Sequence, residues 1–235
     1  MPQRERVALV TGAGVRIGLA IAQDLRRHGF HVAAHYRRHR PPRTLVPLRA
    51  DLALPGGADA LASEFLRRFA RLDLLVCSAG TFEARPLEDT DADAFDAQMH
   101  VNARAPLLLA RALAPLLRRS GGSVVNIADI GGGLVPWDGY AAYAASKAAL
   151  VRLTECLALE LAPAVRVNAV APGTVLWPEA YTQARRRELT RRIPLRRAGT
   201  PADVAEAVRF LASASFVTGA VLPVDGGRNL SGRML

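Results

Sequence analysis

A chain of 235 residues, 50% hydrophobic and 22% charged, is long enough for one full core, and none of its apolar runs nears the roughly 20 residues that span a bilayer. The formal charge of +10 raises nucleic acid as a partner, but the arginines are dispersed and no basic region or zinc-finger spacing accompanies them, so an anionic small molecule is the better match. Two cysteines, Cys77 and Cys156, give neither a disulfide framework nor a metal site, and the expected compartment is the cytoplasm, with both thiols reduced.

In chain order, "RVALVTG" (6–12) is a short apolar run ending in glycine and reads as a strand, not a secretory leader. "RIGLAIAQDLRRHG" (16–29) has helical spacing and a glycine stop. "FHVAAHY" (30–36) is a second strand, and "TLVPLRADL" (44–52) a short third one interrupted by Pro47. A helix over 57–70 precedes the strand "LDLLVCSAG" (72–80). One long helical stretch is expected over 89–118, broken by Pro106 and Pro115. Then come the strand "GSVVNIAD" (122–129), a long helix over 141–162 and the strand "VRVNAVAPG" (165–173). The Arg-rich segment 178–197 reads as mobile helix or loop, 201–213 as a helix with Pro in its first turn, and "AVLPVDGG" (220–227) as the closing strand. Alternating strand and helix predict a single α/β domain over 1–235, a doubly wound parallel sheet of Rossmann type.

"TGAGVRIG" (11–18) lies between the first strand and the first helix. Open α/β sheets bind ligands outside the carboxyl ends of their strands, where a helix N-terminus suits a diphosphate. Gly12 and Gly14 permit a tight turn and Gly18 close packing of the helix. After the second strand, "HYRRHR" (35–40) carries no acid for a ribose 2′-hydroxyl. Arg37 and Arg38 there, with Arg16 in the glycine loop, suit a 2′-phosphate, which favours NADPH/NADP+ over NADH. Asp51 either accepts from an adenine amino group or caps the next turn.

The Lys+Arg total of 31 contains a single lysine, Lys147. It follows Tyr143 by four residues, so the two share a helix face. A nearby ammonium lowers a phenol's pKa and readies it for proton transfer, and a lysine also reaches sugar hydroxyls with a slim, rotating donor.

Together these residues resemble the short-chain dehydrogenase/reductase family over nearly the whole chain. "TGAGVRIG" is similar to its glycine motif, with Arg16 where most members have glycine. "CSAG" (77–80) resembles its Asn-Asn-Ala-Gly turn, Asn102 in "HVNARAP" its helix asparagine that supports a relay water, and "YAASK" its Tyr-x-x-x-Lys pair. "APGTV" (171–175) and "VDGG" (224–227) match the ends of its last two strands. The resemblance implies coenzyme contacts at Gly12, Gly14, Arg16, Ile17 and Gly18, then at Tyr36, Arg37, Arg38, Asp51 and Leu52. Further contacts follow at Ser78, Ala79 and Gly80, at Tyr143 and Lys147, and at Pro172 and Gly173. It also implies a homotetramer joined through the helices at 89–118 and 141–162.

One departure carries substrate information. Most members place a serine near Asp129, but this chain has none between Ser123 and Ser146. An ionised carboxylate accepts hydrogen bonds and cannot donate one to a ketone. A basic glycine loop with Asp at the serine position resembles the pteridine reductase branch, and Phe82 matches the aromatic residue that stacks on the pterin there. The implied reaction takes hydride from NADPH onto a dihydropteridine C6=N5 bond, with Asp129, Tyr143, Lys147 and Asn102 as catalytic set. Arg16, Phe82, Asp129, Tyr143 and Trp177 would bind the pterin; Trp137 reads as loop packing. The rival readings are a carbonyl reductase of acyl-carrier or sugar type and a non-catalytic NADPH-binding regulator.

Overall fold

The computed structural model describes residues 5–177 and 181–231. β1 (Arg6–Val10) leads to α1 (Arg16–Arg27), β2 (Phe30–Tyr36), β3 (Val46–Arg49) and α2 (Gly57–Arg68). β4 (Leu74–Cys77), α3 (Ala92–Met99), α4 (Ala105–Ser120), β5 (Ser123–Ile127) and α5 (Ala141–Leu161) follow. The chain continues through β6 (Arg166–Pro172), α6 (Gln183–Arg191), α7 (Pro201–Ser213), β7 (Val221–Val224) and α8 (Arg228–Ser231). The strands form one parallel sheet in the order β3-β2-β1-β4-β5-β6-β7. Helices cover both faces, so β4 and β5 are buried end to end; β4 runs as an unbroken apolar stretch, while β5 carries Asn126, whose buried amide donates to Thr154 Oγ1 at 2.9 Å. Leu9, Leu75 and Leu113 lie in the core on one face of the sheet, Val10, Ile21 and Val208 in that on the other.

Strand order reverses between β1 and β4, and the crevice there opens at the carboxyl ends. Thr11 Oγ1 clips the two strand ends together by accepting the N–H groups of Ser78 and Ala79, each at 2.9 Å. The strands are shorter than the sequence runs because their last residues peel away to line this crevice. β1 stops at Val10 rather than 12, and β4 at Cys77 rather than 80.

The single long helix expected over 89–118 is instead divided. A 3-10 turn (Leu87–Asp89) precedes α3, and a π-helical turn (His100–Arg104) separates α3 from α4. The widened turn buries Val101, Asn102 and Ala103. Pro106 directly follows the π-helical turn and offers no N–H to the helical ladder, and Pro115 lies inside α4. Of the Arg-rich segment, 178–180 lie outside the described residues, while Gln183–Arg191 is helical with Thr182 capping it. No described helix is long and apolar enough to cross a membrane.

Candidate active site

The glycine loop is built by close backbone contact. Gly12 has φ +67°, and a Cβ there would lie 2.8 Å from the Cα of Ala79. A Cβ on Gly14 would sit 1.9 Å from the carbonyl oxygen of His39, and one on Gly18 2.2 Å from that of Gly12. Arg16 adopts φ +55°, a left-handed conformation that glycine takes more easily. Its exposed side chain is therefore delivered at a fixed turn. The N-terminus of α1 has no side-chain cap and no acid in its first turn, so its N–H groups stay open to an anion. Ile17 packs on the core below.

Sequence reasoning missed the residue that holds this loop. His35 in β2 is 3% exposed. Its Nδ1 accepts from the Gly12 N–H at 3.2 Å and its Nε2 faces the Ala50 carbonyl at 3.2 Å. The only warning was a histidine inside an apolar strand.

At the ends of β2 and β3, Arg38 is exposed and makes no ion pair among the described residues, whereas Arg37 lies 3.8 Å from Asp51. Asp51 also accepts from the Ala53 N–H at 3.0 Å, so it caps its turn. Tyr36 is half-buried beside Gly14. Leu52 is 5% exposed and packs into the core, so its side chain is scaffold.

The residues expected to be catalytic converge at the ends of β4, β5 and β6. Tyr143 Oη donates to Asp129 Oδ2 at 3.0 Å, and Asp129 Oδ1 accepts from the Gly131 N–H at 2.6 Å. Lys147 Nζ donates to the Ile127 carbonyl at 2.8 Å and lies 5.9 Å from the Tyr143 ring centre. The glycine run 131–133 allows this approach, since a Cβ on Gly132 would fall 2.7 Å from Lys147 Cβ. Gly80 borders the same space, 3.1 Å from Asn102 Oδ1 and 3.6 Å from Lys147 Nζ measured from its hypothetical Cβ. Pro172 and Gly173 close the β6 side; the Gly173 N–H is taken by Val224.

Electrostatics differ from expectation. Burial, then the Asp129 carboxylate, push the Tyr143 phenol above its usual range rather than below it. Burial also raises Asp129 and pulls the Lys147 amine down to about 8, with Asp129 opposing that fall. The direction of the phenol's shift is thus set by desolvation and by the carboxylate, not by the lysine. Cys77 is pushed up to about 12 by burial and is inert.

Asn102 is a brace. Its Oδ1 accepts from the Thr81 N–H at 2.9 Å, and its Nδ2 donates to the Thr81 carbonyl at 3.0 Å and to Ser146 Oγ at 2.9 Å. The side-chain amide thereby holds the β4 loop against α5.

An aromatic cluster lies beside Tyr143. Phe82, half exposed, stacks on Tyr140 with centroids 4.8 Å apart and meets Tyr143 edge-on at 4.8 Å. Trp137 lies parallel to Tyr143 at 6.2 Å, so it belongs to the site and not merely to loop packing. Trp177 instead contacts Tyr181 at 6.3 Å. Arg228 lies against the Trp137 ring at 5.8 Å, bonds Thr174, and adds positive charge near Asp129.

A diphosphate-ready loop at the switch point of a parallel sheet, beside a buried tyrosine, lysine and carboxylate, defines a nicotinamide-dependent oxidoreductase. The sequence profile of a family described as enoyl-(acyl carrier protein) reductase matches residues 12–229. The 2-(R)-hydroxypropyl-CoM dehydrogenase of Xanthobacter autotrophicus is 38% identical, over 94% of this chain and 97% of its own. The L-fucose dehydrogenase of Oryctolagus cuniculus is 37% identical, over 96% and 85%. The dihydromonapterin reductase of Shigella boydii is 34% identical, over 94% and 96%. The chain belongs to the short-chain dehydrogenase/reductase family.

Proposed function

We propose that the protein is an NADPH-dependent reductase of a dihydropteridine. The observation that carries this reading is the 3.0 Å bond from Tyr143 Oη to a largely buried carboxylate, Asp129, where a carbonyl reductase needs a hydroxyl donor. The open α1 N-terminus, Arg16 and Arg38 fit the diphosphate and the 2′-phosphate, and Lys147 fits the ribose hydroxyls. When bound, the coenzyme supplies the hydride that reaches C6 of the C6=N5 bond.

The chain's own groups supply the proton. With its pKa raised, Tyr143 stays protonated and acts as the donor to N5. A phenolate 3.0 Å from an ionised carboxylate is costly, so the proton that Tyr143 gives to N5 is replaced from solvent as it leaves, with Asp129, its pKa raised by burial, as the neighbouring group able to pass it on. One hydride and one proton then balance the reduction. The half-exposed ring of Phe82, with Trp137 and Tyr143, offers walls for a flat heterocycle. The relationship to a dihydromonapterin reductase supports this substrate class.

Carbonyl reduction is the second reading, favoured by relatives of 37–38% identity named as dehydrogenases of a hydroxypropyl thioether and of a sugar. The same proposal makes the protein a cytoplasmic homotetramer, which sizing of the native protein checks. NADPH oxidation with dihydromonapterin, dihydrobiopterin, dihydrofolate and a ketoester tests the substrate class. Turnover on a dihydropterin is expected; turnover on the ketoester alone overturns the assignment. Tight coenzyme binding with no turnover on any of the four points to a regulator.

A further inference from the structure

We propose that His35 is a positioning residue for the coenzyme, tying the glycine turn to the end of β3 so that the diphosphate and adenosine halves of the site keep a fixed spacing. The proposal rests on the reading of this crevice as a nicotinamide dinucleotide site.

The two ring nitrogens of His35 serve two different segments. The Gly12 N–H can only donate, so Nδ1 must accept; the Ala50 carbonyl can only accept, so Nε2 must carry the proton. One neutral tautomer satisfies both. The main chain of the same residue takes a third bond, from the Ala13 N–H to the His35 carbonyl at 2.8 Å. His35 therefore holds consecutive amides of the turn that wraps an anion. Ala50 immediately precedes Asp51, whose carboxylate caps its own turn and faces Arg37 at 3.8 Å, among the groups expected around the adenosine. The turn is closely packed: a Cβ on Gly14 would meet the His39 carbonyl and one on Gly12 the Cα of Ala79. A leucine would fill the volume but leave the Gly12 N–H without its acceptor.

Burial lowers the imidazole to about 4, against the Ala50 bond and the Asp51 charge, so the neutral form is the resident one. Protonation would turn Nδ1 into a donor facing a donor.

Three proteins test this: wild type, His35→Leu and His35→Asn. Asparagine places Oδ1 close to where Nδ1 lies, so it keeps the Gly12 bond and loses only the link to Ala50. The readouts are the Kd for NADP+ by titration calorimetry, thermal unfolding, and the coenzyme KM against kcat. His35→Leu is expected to weaken NADP+ by about tenfold to a hundredfold through the orphaned amide, while His35→Asn stays within about threefold of wild type. KM for the coenzyme rises with kcat held.

If His35→Leu does not fold, His35→Val, which removes the same acceptor with a smaller side chain, is titrated in its place with the same expectation. An aliphatic variant that binds as tightly as wild type, or asparagine as weak as the aliphatic variant, overturns the proposal. Wild type binding neither NADP+ nor NAD+ defeats the coenzyme reading itself and this proposal with it.

Discussion

Tyr143→Phe probes the Tyr143–Asp129 bond and the proton route in one step. The change deletes a single oxygen and keeps the ring between Phe82 and Trp137, so packing is conserved. Asp129 Oδ2 then loses its donor while Oδ1 keeps the Gly131 N–H at 2.6 Å. A hydrogen bond to a charged group contributes about 1.5–3 kcal/mol, so the expected loss of unfolding free energy is about 2 kcal/mol with the carboxylate ionised. The folded-state pKa of Asp129 is already raised, chiefly by burial, and the bond from Tyr143 partly offsets that. A carboxyl with a raised folded pKa weakens the fold as pH rises through its titration. The deficit of Tyr143→Phe is therefore largest on the alkaline side and shrinks toward acid. Denaturant unfolding of the single and double variants with Asp129→Asn should give a coupling of about 1–2 kcal/mol, because asparagine leaves no charge to strand. Turnover should drop by about 10²–10⁴-fold, the usual contribution of a general acid, with coenzyme affinity unchanged. A deficit independent of pH, a coupling near zero, or turnover within about tenfold of wild type would refute the reasoning.

Replacing Arg37 and Arg38 by Ala should narrow the preference for NADPH over NADH by about tenfold or more, read as the ratio of kcat/KM values; an unchanged ratio removes their phosphate role. Asp129→Ser restores a hydroxyl donor, so ketoester turnover should rise and dihydropterin turnover fall; loss of both in parallel would count against the carboxylate as the substrate determinant. His35, held at about 4 against an ordinary 6.5, favours the fold above pH 6.5, and that contribution is lost as pH falls toward 4 because the unfolded chain takes up the proton first. The difference corresponds to about 3 kcal/mol at the acid end, visible as a steeper loss of unfolding free energy in wild type than in His35→Asn.

Much of the architecture was legible because burial on both faces writes apolar runs into β1 and β4, and because glycine loops sit where strands end. Tyr143, Lys147 and Asp129 were readable as a set, and the structure brings them together. The division of the 89–118 helix was not legible: a π-helical turn shifts the apolar register by about one residue, too little to stand out from the helical pattern on either side. His35 was read only as part of a strand, since no local pattern says which two backbone groups a buried imidazole will join. The contact of Trp137 with Tyr143 was not legible either, because ring contacts made by loops depend on chain paths that periodicity does not describe. The direction of the Tyr143 shift was also missed. An i, i+4 spacing reports that an amine is near, not how much water has been removed from around both groups.

The sequence has one side-chain amine, and the fold keeps it 6% exposed with its pKa pulled down to about 8. An acylating reagent at mildly alkaline pH therefore meets a single internal target, uncharged for a substantial share of the time yet screened from bulk solvent. Its rate of labelling, followed by mass spectrometry, is a direct gauge of how often the crevice opens and of whether a dinucleotide is seated in it.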